Sequence, residues 1–246
     1  MRRSRPEGEQ GFVLITALWL LLLCGAVVAL MMLRGAGKAE ASHAAAVQVQ
    51  ARLDLDAAMQ TIAADILFSG DQSQWARAPA QGTVDIDGRS ISAEVSSEAG
   101  RLDLNDGDPA VIDRALQGLG VAAARRTLLQ GRLQQLRNQN RRIASQAMLD
   151  HVLAGVAKSS DVCLDRYVTL YSGLTRPDEA AMPALLAQAL AVPQGGGEAP
   201  TVLQPGTAIR VRLRTAQGSS LLAVIRVVGT LGRTYDVMRW TPGPKC

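Results

Sequence analysis

The sequence predicts an α+β protein in which one long N-terminal helix packs on a small antiparallel sheet that carries a helical insertion. Three observations support this. No proline interrupts residues 12–68, where apolar residues recur with a helical period. Alternating apolar and polar residues flank Asp87-Gly88, which is a strong hairpin signal. Three further alternating segments follow after residue 207, beyond several runs of leucine and alanine at helical spacing.

Length and composition limit the class of protein. The chain has 246 residues, of which 48% are apolar. That apolar fraction excludes an intrinsically disordered protein. The length suits one or two modest domains and excludes a large multidomain enzyme.

Residues 11–33 form an apolar run in which positions 12–33 carry no charge. At about 1.5 Å per residue, a helix of this length crosses a hydrocarbon core of roughly 30 Å. It exceeds the apolar region of a cleavable secretory signal, which is typically about 7–15 residues. Arg2, Arg3 and Arg5 precede it, so the positive-inside rule predicts a cytoplasmic N-terminus and a head outside the inner membrane.

Beyond the long helix, the spacing predicts four helices and five strands. Asp108 and Pro109 suit the N-cap and the first position of a helix. The helices are expected at residues 109–118, 121–137, 143–157 and 178–191. The strands are expected at residues 83–87, 89–96, 208–215, 220–228 and 235–240.

A short charged leader ends in Gln10-Gly11, and the apolar helix begins at Phe12. This arrangement resembles the processing site of type IV pilin-like proteins, in which a prepilin peptidase cuts after the glycine and methylates the new N-terminal residue. The resemblance implies cleavage between Gly11 and Phe12. Most members carry glutamate at the fifth mature position, where this chain has Thr16.

The missing glutamate is a habit of one minor branch, the general secretion pathway protein K pseudopilins of type II secretion. A carboxylate in lipid is costly unless it is paired. In pilin assembly, the glutamate is thought to meet the amino terminus of the subunit ahead. A subunit at the filament tip has none ahead, so Thr16 in place of glutamate is consistent with a tip position.

Three segments of the head also resemble the K pseudopilins. Residues 98–105 read EAGRLDLN, and residues 167–173 read YVTLYSG. Residues 235–240 read YDVMRW and resemble the family's terminal strand. The chain is short for the family, so its helical insertion is expected to be reduced.

The resemblance implies a structural, non-enzymatic protein at the tip of a pseudopilus. Its partners would be the minor pseudopilins I and J, the prepilin peptidase and the inner-membrane secretion apparatus. The expected division is a cytoplasmic leader at 1–11, a single transmembrane segment at 12–33, a periplasmic helix at 34–68, a pilin-like head at 69–105 and 171–246, and the reduced insertion at 106–170.

No residues suggest catalysis. His43 and His151 are about a hundred residues apart, and no nucleophile signature surrounds either of them. The chain has no phosphate-binding glycine motif of the Walker or dinucleotide type. We therefore expect no enzymatic activity and no organic cofactor.

An oxygen-rich stretch at residues 103–108 is the best metal candidate, with Asp103, Asn105, Asp106 and Asp108 as calcium ligands. The family resemblance favours calcium, since K pseudopilins bind it in the head. The stretch does not follow the spacing of an EF-hand. A turn in which Asp108 caps the next helix is the preferred interpretation.

Of the three cysteines, Cys24 lies in the apolar run, whereas Cys163 and Cys246 would be periplasmic. The periplasm is oxidising, so Cys163 and Cys246 are candidates for a disulfide. Without that disulfide, Cys246 would be a free terminal thiol.

Two alternatives remain open. The turn Gly118-Leu119-Gly120 is followed by six arginines and resembles a helix-hairpin-helix, so a minor type IV pilin or competence pseudopilin could bind DNA there. No aromatic residue lies within 106–166, so nucleic acid is not favoured, and a solvated helix face is preferred. The arginines are Arg125, Arg126, Arg132, Arg137, Arg141 and Arg142. The other alternative is a membrane-tethered periplasmic protein that forms no filament.

Overall fold

The computed structural model describes residues 8–156, 163–192, 201–203, 206–230 and 233–243. It divides the chain into two compact units, Met1–Arg52 and Leu53–Cys246. The helices are α1 (Gly8–Ser69), α2 (Pro109–Gly118), α3 (Ala123–Asn138), α4 (Gln146–Leu153) and α5 (Ala184–Ala189). The strands are β1 (Arg77–Ala78), β2 (Ala80–Ile86), β3 (Arg89–Ser97), β4 (Leu102–Asp103), β5 (Val168–Thr169), β6 (Thr201–Val202), β7 (Ala208–Thr215), β8 (Ser220–Thr230) and β9 (Arg233–Pro242).

Where the structure describes it, from residue 8 onward, the first unit is helical and contains one candidate membrane span. Leu14–Met32 is a stretch of 19 residues with a mean hydropathy of 2.6, and its side chains are exposed. By length and composition it can cross a membrane. The prediction of an uninterrupted helix is confirmed, since α1 has 62 residues and contains no proline.

The second unit contains a five-stranded antiparallel sheet in the order β2-β3-β7-β8-β9. Its first hairpin turns at Asp87 and Gly88, which have φ angles of 51° and 76°. Such left-handed angles suit the tight turns that join two strands, and glycine tolerates them best. The hairpin and the three C-terminal strands are confirmed, although most strands extend a residue or more beyond their expected limits.

The first core of this unit lies between α1 and one face of the sheet. Apolar residues of α1, including Met59, Ile62 and Ile66, are almost completely buried. Alternate residues of the central strands meet them, for example Val95 on β3 and Val211 on β7. The odd-numbered residues of β7 pack into this core, so its even-numbered residues, from Arg210 to Arg214, lie on the opposite face of the sheet.

A second core consists of α2, α3, α4 and α5, and it also includes residues of β4 and β5. Helix α2 has the bounds that the sequence predicts. Helix α4 is shorter than expected, because Ser145 caps its first turn by accepting from Met148 N, and Gly155 follows its end with a φ of 80°. The core continues through Leu186 of α5.

The prediction of one helix over residues 178–191 is wrong. A short 3₁₀ turn, Glu179–Ala181, precedes α5, and the two are separated by extended backbone at Met182 with a ψ of 133°. Proline favours extended backbone in the residue before it and lacks an N–H for the helix. Pro183 therefore starts a new helix.

Candidate functional site

Two of the segments that resemble K pseudopilins meet in the structure. Strand β4 belongs to residues 98–105, and strand β5 belongs to residues 167–173; the two strands pair in parallel. Leu102 N donates to Tyr167 O at 2.9 Å, and Leu104 N donates to Thr169 O at 3.0 Å. We call the contact made by Glu98, Arg101, Asp103, Thr169 and Arg210 the polar junction.

A fully buried ion pair forms the centre of the polar junction. Glu98 has no exposed surface, and only 3% of Arg210 is exposed. Arg210 donates from Nε to Glu98 Oε1 at 2.6 Å and from Nη2 to Oε2 at 3.3 Å, a two-point contact. Thr169 Oγ1 donates to the same carboxylate. Because Arg210 lies on the sheet face opposite α1, this pair links β5 to that face.

Further hydrogen bonds join the sheet to the short turn before β5. Arg210 Nη1 donates to Asp165 O at 2.6 Å, and Arg101 Nε donates to Arg166 O at 3.0 Å. The carboxylate of Asp165 makes a two-point contact with Arg239 of β9, at 2.7 and 3.2 Å. Residues from β7, from β9 and from the bend before β4 therefore hold this turn.

Two groups of the polar junction, Glu98 and Arg101, have shifted pKa values. Burial raises the pKa of Glu98, but the charges of Arg210 and Arg101 and the bond from Thr169 outweigh burial, so the net pKa is below the usual 4.5. Burial lowers the pKa of Arg101 to about 10, although Glu98 opposes that shift. Glu98 is therefore an ionised acceptor near neutral pH.

Asp103 and Asn105, two of the calcium candidates, are occupied by hydrogen bonds within the chain. Asp103 is buried, and its Oδ2 accepts from Gly173 N at 2.8 Å and from Ser172 Oγ at 3.0 Å. Its Oδ1 accepts from Asn105 N at 2.8 Å. The side-chain oxygen of Asn105 accepts from Ile143 N at 2.8 Å.

The other two calcium candidates have different partners. Asp106 pairs with Arg142, and Asp108 accepts from Ala110 N at 2.8 Å as the N-cap of α2. The predicted cap is confirmed. Among the described residues, no three histidine, cysteine, aspartate or glutamate side chains form a group that could hold a metal ion. The side chains of these four candidates are therefore engaged by partners within the chain.

In the glycine turn between α2 and α3, the backbone N–H groups already have acceptors within the chain. The backbone N–H groups of Leu119, Gly120 and Val121 all donate to carbonyls of α2, at 2.9 to 3.0 Å. A Cβ on Gly118 would lie 2.4 Å from Ala189 O of α5. Gly118 thus allows two helices to approach closely, and these three amides are not available to a phosphate.

Four of the six arginines near this turn hold the helical core together and are not merely solvated. Arg126 binds Asp113 at 3.0 Å, and Arg137 donates to Gly107 O at 2.7 Å. Arg132 donates to three carbonyls at the end of α4, and Arg142 pairs with Asp106 as described. In the part of the chain that the structure describes, the side chains of Arg125 and Arg141 have no such contact.

Gly11 and Phe12, between which cleavage is expected, lie in α1 ahead of the candidate membrane span. Thr16 lies inside that span and is exposed. The cleavage itself stays a prediction, as does the significance of Thr16.

The cysteines differ in state. Cys163 is disulfide-bonded and directly precedes the turn Leu164–Arg166, whereas Cys24 is free and exposed. Cys246, its expected partner, lies outside the described residues. The pairing of Cys163 with Cys246 therefore stays a prediction.

Sequence reasoning missed Arg210 and Gly100. A Cβ on Gly100 would lie 2.0 Å from Ala181 O, so this glycine lets the turn Glu179–Ala181 rest directly on the EAGR segment. The available signal for Arg210 was the pattern of β7, in which an arginine alternates with apolar residues. An arginine inside a central strand requires an acceptor, and Glu98 is that acceptor.

No protein-family model matches the chain, and no curated protein matches it in sequence.

Proposed function

We propose that this protein is a minor pseudopilin of a type II secretion system, a structural subunit of the K type placed at the pseudopilus tip. The observation that supports this most is the contact between β4 and β5. It brings together the EAGRLDLN and YVTLYSG segments, which are far apart in sequence, and it occupies their polar side chains with one another. Residues chosen only for their resemblance thus share one structural role.

The N-terminal region supports the same proposal. An apolar span, Leu14–Met32, follows a charged leader that ends at Gly11. In the proposed function, the prepilin peptidase removes residues 1–11 and methylates Phe12. The span then holds the subunit in the inner membrane, with the head in the periplasm, until assembly with pseudopilins I and J. Thr16 in place of glutamate leaves no carboxylate to bind a subunit ahead.

The observations favour a structural role over DNA binding. The amides of the glycine turn and four of its arginines are bound inside the head. A helix-hairpin-helix needs free amides and basic side chains for the phosphate. We therefore propose no second function.

The test is co-expression of the full chain with a prepilin peptidase, followed by intact-mass measurement. We expect a mature protein that begins at N-methylated Phe12. Gly11→Val should block cleavage, because the peptidase cuts after this glycine. Gly8→Val is the matched control, since it makes the same change three residues earlier in the leader and should leave cleavage intact.

A wild-type chain that keeps residues 1–11 in the presence of an active peptidase would overturn the proposal. The chain would then be a membrane-tethered protein that forms no filament. Activity of the peptidase is verified in the same cells with a known prepilin.

A further inference from the structure

Two segments of opposite charge lie against each other in the second unit. Residues 103–108, the acidic loop, contain three aspartates and no basic residue, whereas residues 137–143, the basic connector, contain three arginines and no acid. The side-chain amide of Asn105 joins them through both of its polar atoms. Its Nδ2 donates to Ile143 O at 3.2 Å, and its Oδ1 accepts from Ile143 N at 2.8 Å. The basic connector is therefore fixed at the acidic loop.

Two arginines of the basic connector donate to oxygens of the acidic loop. Arg142 Nη2 donates to Asp106 Oδ2, and Arg137 Nη2 donates to Gly107 O at 2.7 Å. A carboxylate and a backbone carbonyl are the kinds of oxygen that bind calcium in protein loops. In this chain, both of these oxygens accept from a guanidinium.

Further hydrogen bonds close the acidic loop on itself. Asp103 Oδ1 accepts from Asn105 N at 2.8 Å and from Asp106 N at 3.1 Å, and Asp103 O accepts from Gly107 N at 2.8 Å. A Cβ on Gly107 would lie 2.2 Å from Asp103 O, so the loop is wound too tightly for a side chain there. Calcium takes about 6–8 oxygen ligands. Turning these oxygens towards a metal ion would break the hydrogen bonds that shape the loop.

The two guanidinium groups also make the acidic loop unfavourable for a further cation. Their positive charges already lie at hydrogen-bonding distance from Asp106 Oδ2 and Gly107 O. Charges of the same sign repel, and the repulsion is strongest at such short range. A divalent cation would have to displace Arg142 and Arg137 before it could use these oxygens.

From these contacts we infer that the basic connector takes the place of a divalent cation at the acidic loop, which is fixed without calcium. Arg137 and Arg142 are then the groups that neutralise the loop. In this respect the chain differs from the K pseudopilins, since that resemblance implies calcium in the head. The contacts lie within the second unit, so they hold whether or not the chain joins a pseudopilus.

The experiment measures hydrogen exchange of the full chain in detergent micelles, by mass spectrometry of peptides that cover residues 103–108. Exchange is compared in EGTA and in about 5 mM calcium chloride, which exceeds the Kd of weak extracellular calcium sites. The wild-type rates should agree within about 1.5-fold, because no calcium binds the loop. A loop whose Kd for calcium is about ten times lower than this concentration would exchange about tenfold more slowly, because binding lowers the population of the open form.

Variants of the basic connector test the two arginines. Arg137→Gln combined with Arg142→Gln should speed exchange at residues 103–108 about tenfold, because two charge-assisted hydrogen bonds are lost. Arg142→Gln alone should give about a twofold to fivefold increase, since Arg142 is exposed, and it keeps the test available if the double variant does not fold. The matched control is Arg141→Gln, which removes the same charge from the adjacent position. The side chain of Arg141 makes no hydrogen bond or ion pair among the described residues, so the rate should change by less than about 1.5-fold.

Either of two results would overturn the inference. One is a wild-type loop that exchanges about tenfold more slowly in calcium than in EGTA. The other is an Arg141→Gln variant that speeds exchange as much as the double variant does, because the contacts of Arg137 and Arg142 would then not fix the loop. Equal wild-type rates in calcium and EGTA, with faster exchange only where Arg137 or Arg142 is replaced, would support it.

Discussion

Glu98 shows how a single residue connects two parts of the head. A carboxylate without solvent exposure is stable only if its charge is paired and its oxygens accept hydrogen bonds. Arg210 and Thr169 supply those bonds, and Arg101 adds a second positive charge at 3.5 Å. Burial of a charged pair is a weak source of net stability, but removal of one partner leaves the other charge buried. Glu98 therefore specifies how the strands and the helical core join.

The first prediction at this scale concerns pH. Since the folded-state pKa of Glu98 is below its usual 4.5, its stabilising effect is complete above about pH 4.5 and is lost as pH falls through the lower folded-state value. Glu98→Gln should reduce the free energy of unfolding by about 3–5 kcal/mol at neutral pH, because Arg210 and Arg101 lose their ionised partner. It should also flatten the pH dependence below about pH 4.5.

The measurement is urea unfolding of the full chain in detergent micelles, from neutral pH to about pH 2.5, followed by tryptophan fluorescence. Glu179→Gln is the control, because it removes an exposed carboxylate. A Glu98→Gln variant that loses stability at low pH as steeply as the wild type would contradict the assigned role.

At the scale of one element, the stability of α4 depends on the hydrogen bonds made at its two ends. It has only eight residues, and a helix so short is marginal in isolation. Ser145 satisfies an N–H at its start. At its end, Arg132 Nη1 donates to the carbonyls of His151, Val152 and Ala154, at 3.2, 2.7 and 2.7 Å. A positive charge at a helix C-terminus also interacts favourably with the helix dipole.

Arg132→Gln should therefore reduce the free energy of unfolding by about 1–2 kcal/mol. The loss should be accompanied by faster hydrogen exchange in α4. Arg125→Gln is the matched comparison on the same helix, since the side chain of Arg125 makes no hydrogen bond or ion pair among the described residues. Equal stabilities of the two variants would show that Arg132 does not support the end of α4.

At the scale of the whole molecule, a disulfide adds to the stability that packing of the cores provides. Cys163 is disulfide-bonded directly before the turn that the polar junction holds. Pairing with Cys246 would connect the C-terminus to this turn and close a long loop. Closure of a loop of about 80 residues stabilises a fold by about 4.5 kcal/mol in the chain-entropy account.

Peptide mapping without reduction should find Cys163 linked to Cys246 and Cys24 alkylated as a free thiol. Cys163→Ser, Cys246→Ser and the double variant should lose the same stability, because any of them opens the same bond. Cys24→Ser serves as the control. Alkylation of Cys246 in the unreduced protein would exclude the pairing.

Local signals predicted much of this fold. Asp87-Gly88 predicted the hairpin, Asp108-Pro109 predicted the start of α2, and the proline-free run predicted α1. The break at Pro183 was missed because leucine and alanine spacing outweighed the proline.

The polar junction was less predictable, because it depends on distant contacts. Resemblance singled out the segments that contain Glu98 and Thr169, but nothing local indicates that β4 and β5 pair. Asp103 and Asn105 looked like metal ligands because their oxygens are dense in the sequence. The partners that occupy them, Ile143 and Gly173, are about 40 and 70 positions away.

The parallel pair of β4 and β5 has an evolutionary consequence. The chain leaves the sheet region at Leu102 and returns at Tyr167, and these two residues are hydrogen-bonded neighbours. The segment between them begins and ends at the same place in the fold. Its length therefore does not alter the spacing of the strands around it. Natural variants can therefore lengthen or shorten this segment, at positions that do not contact α5, while the sheet is inherited unchanged. Diversity in length among descendants of such a protein should collect at this one location.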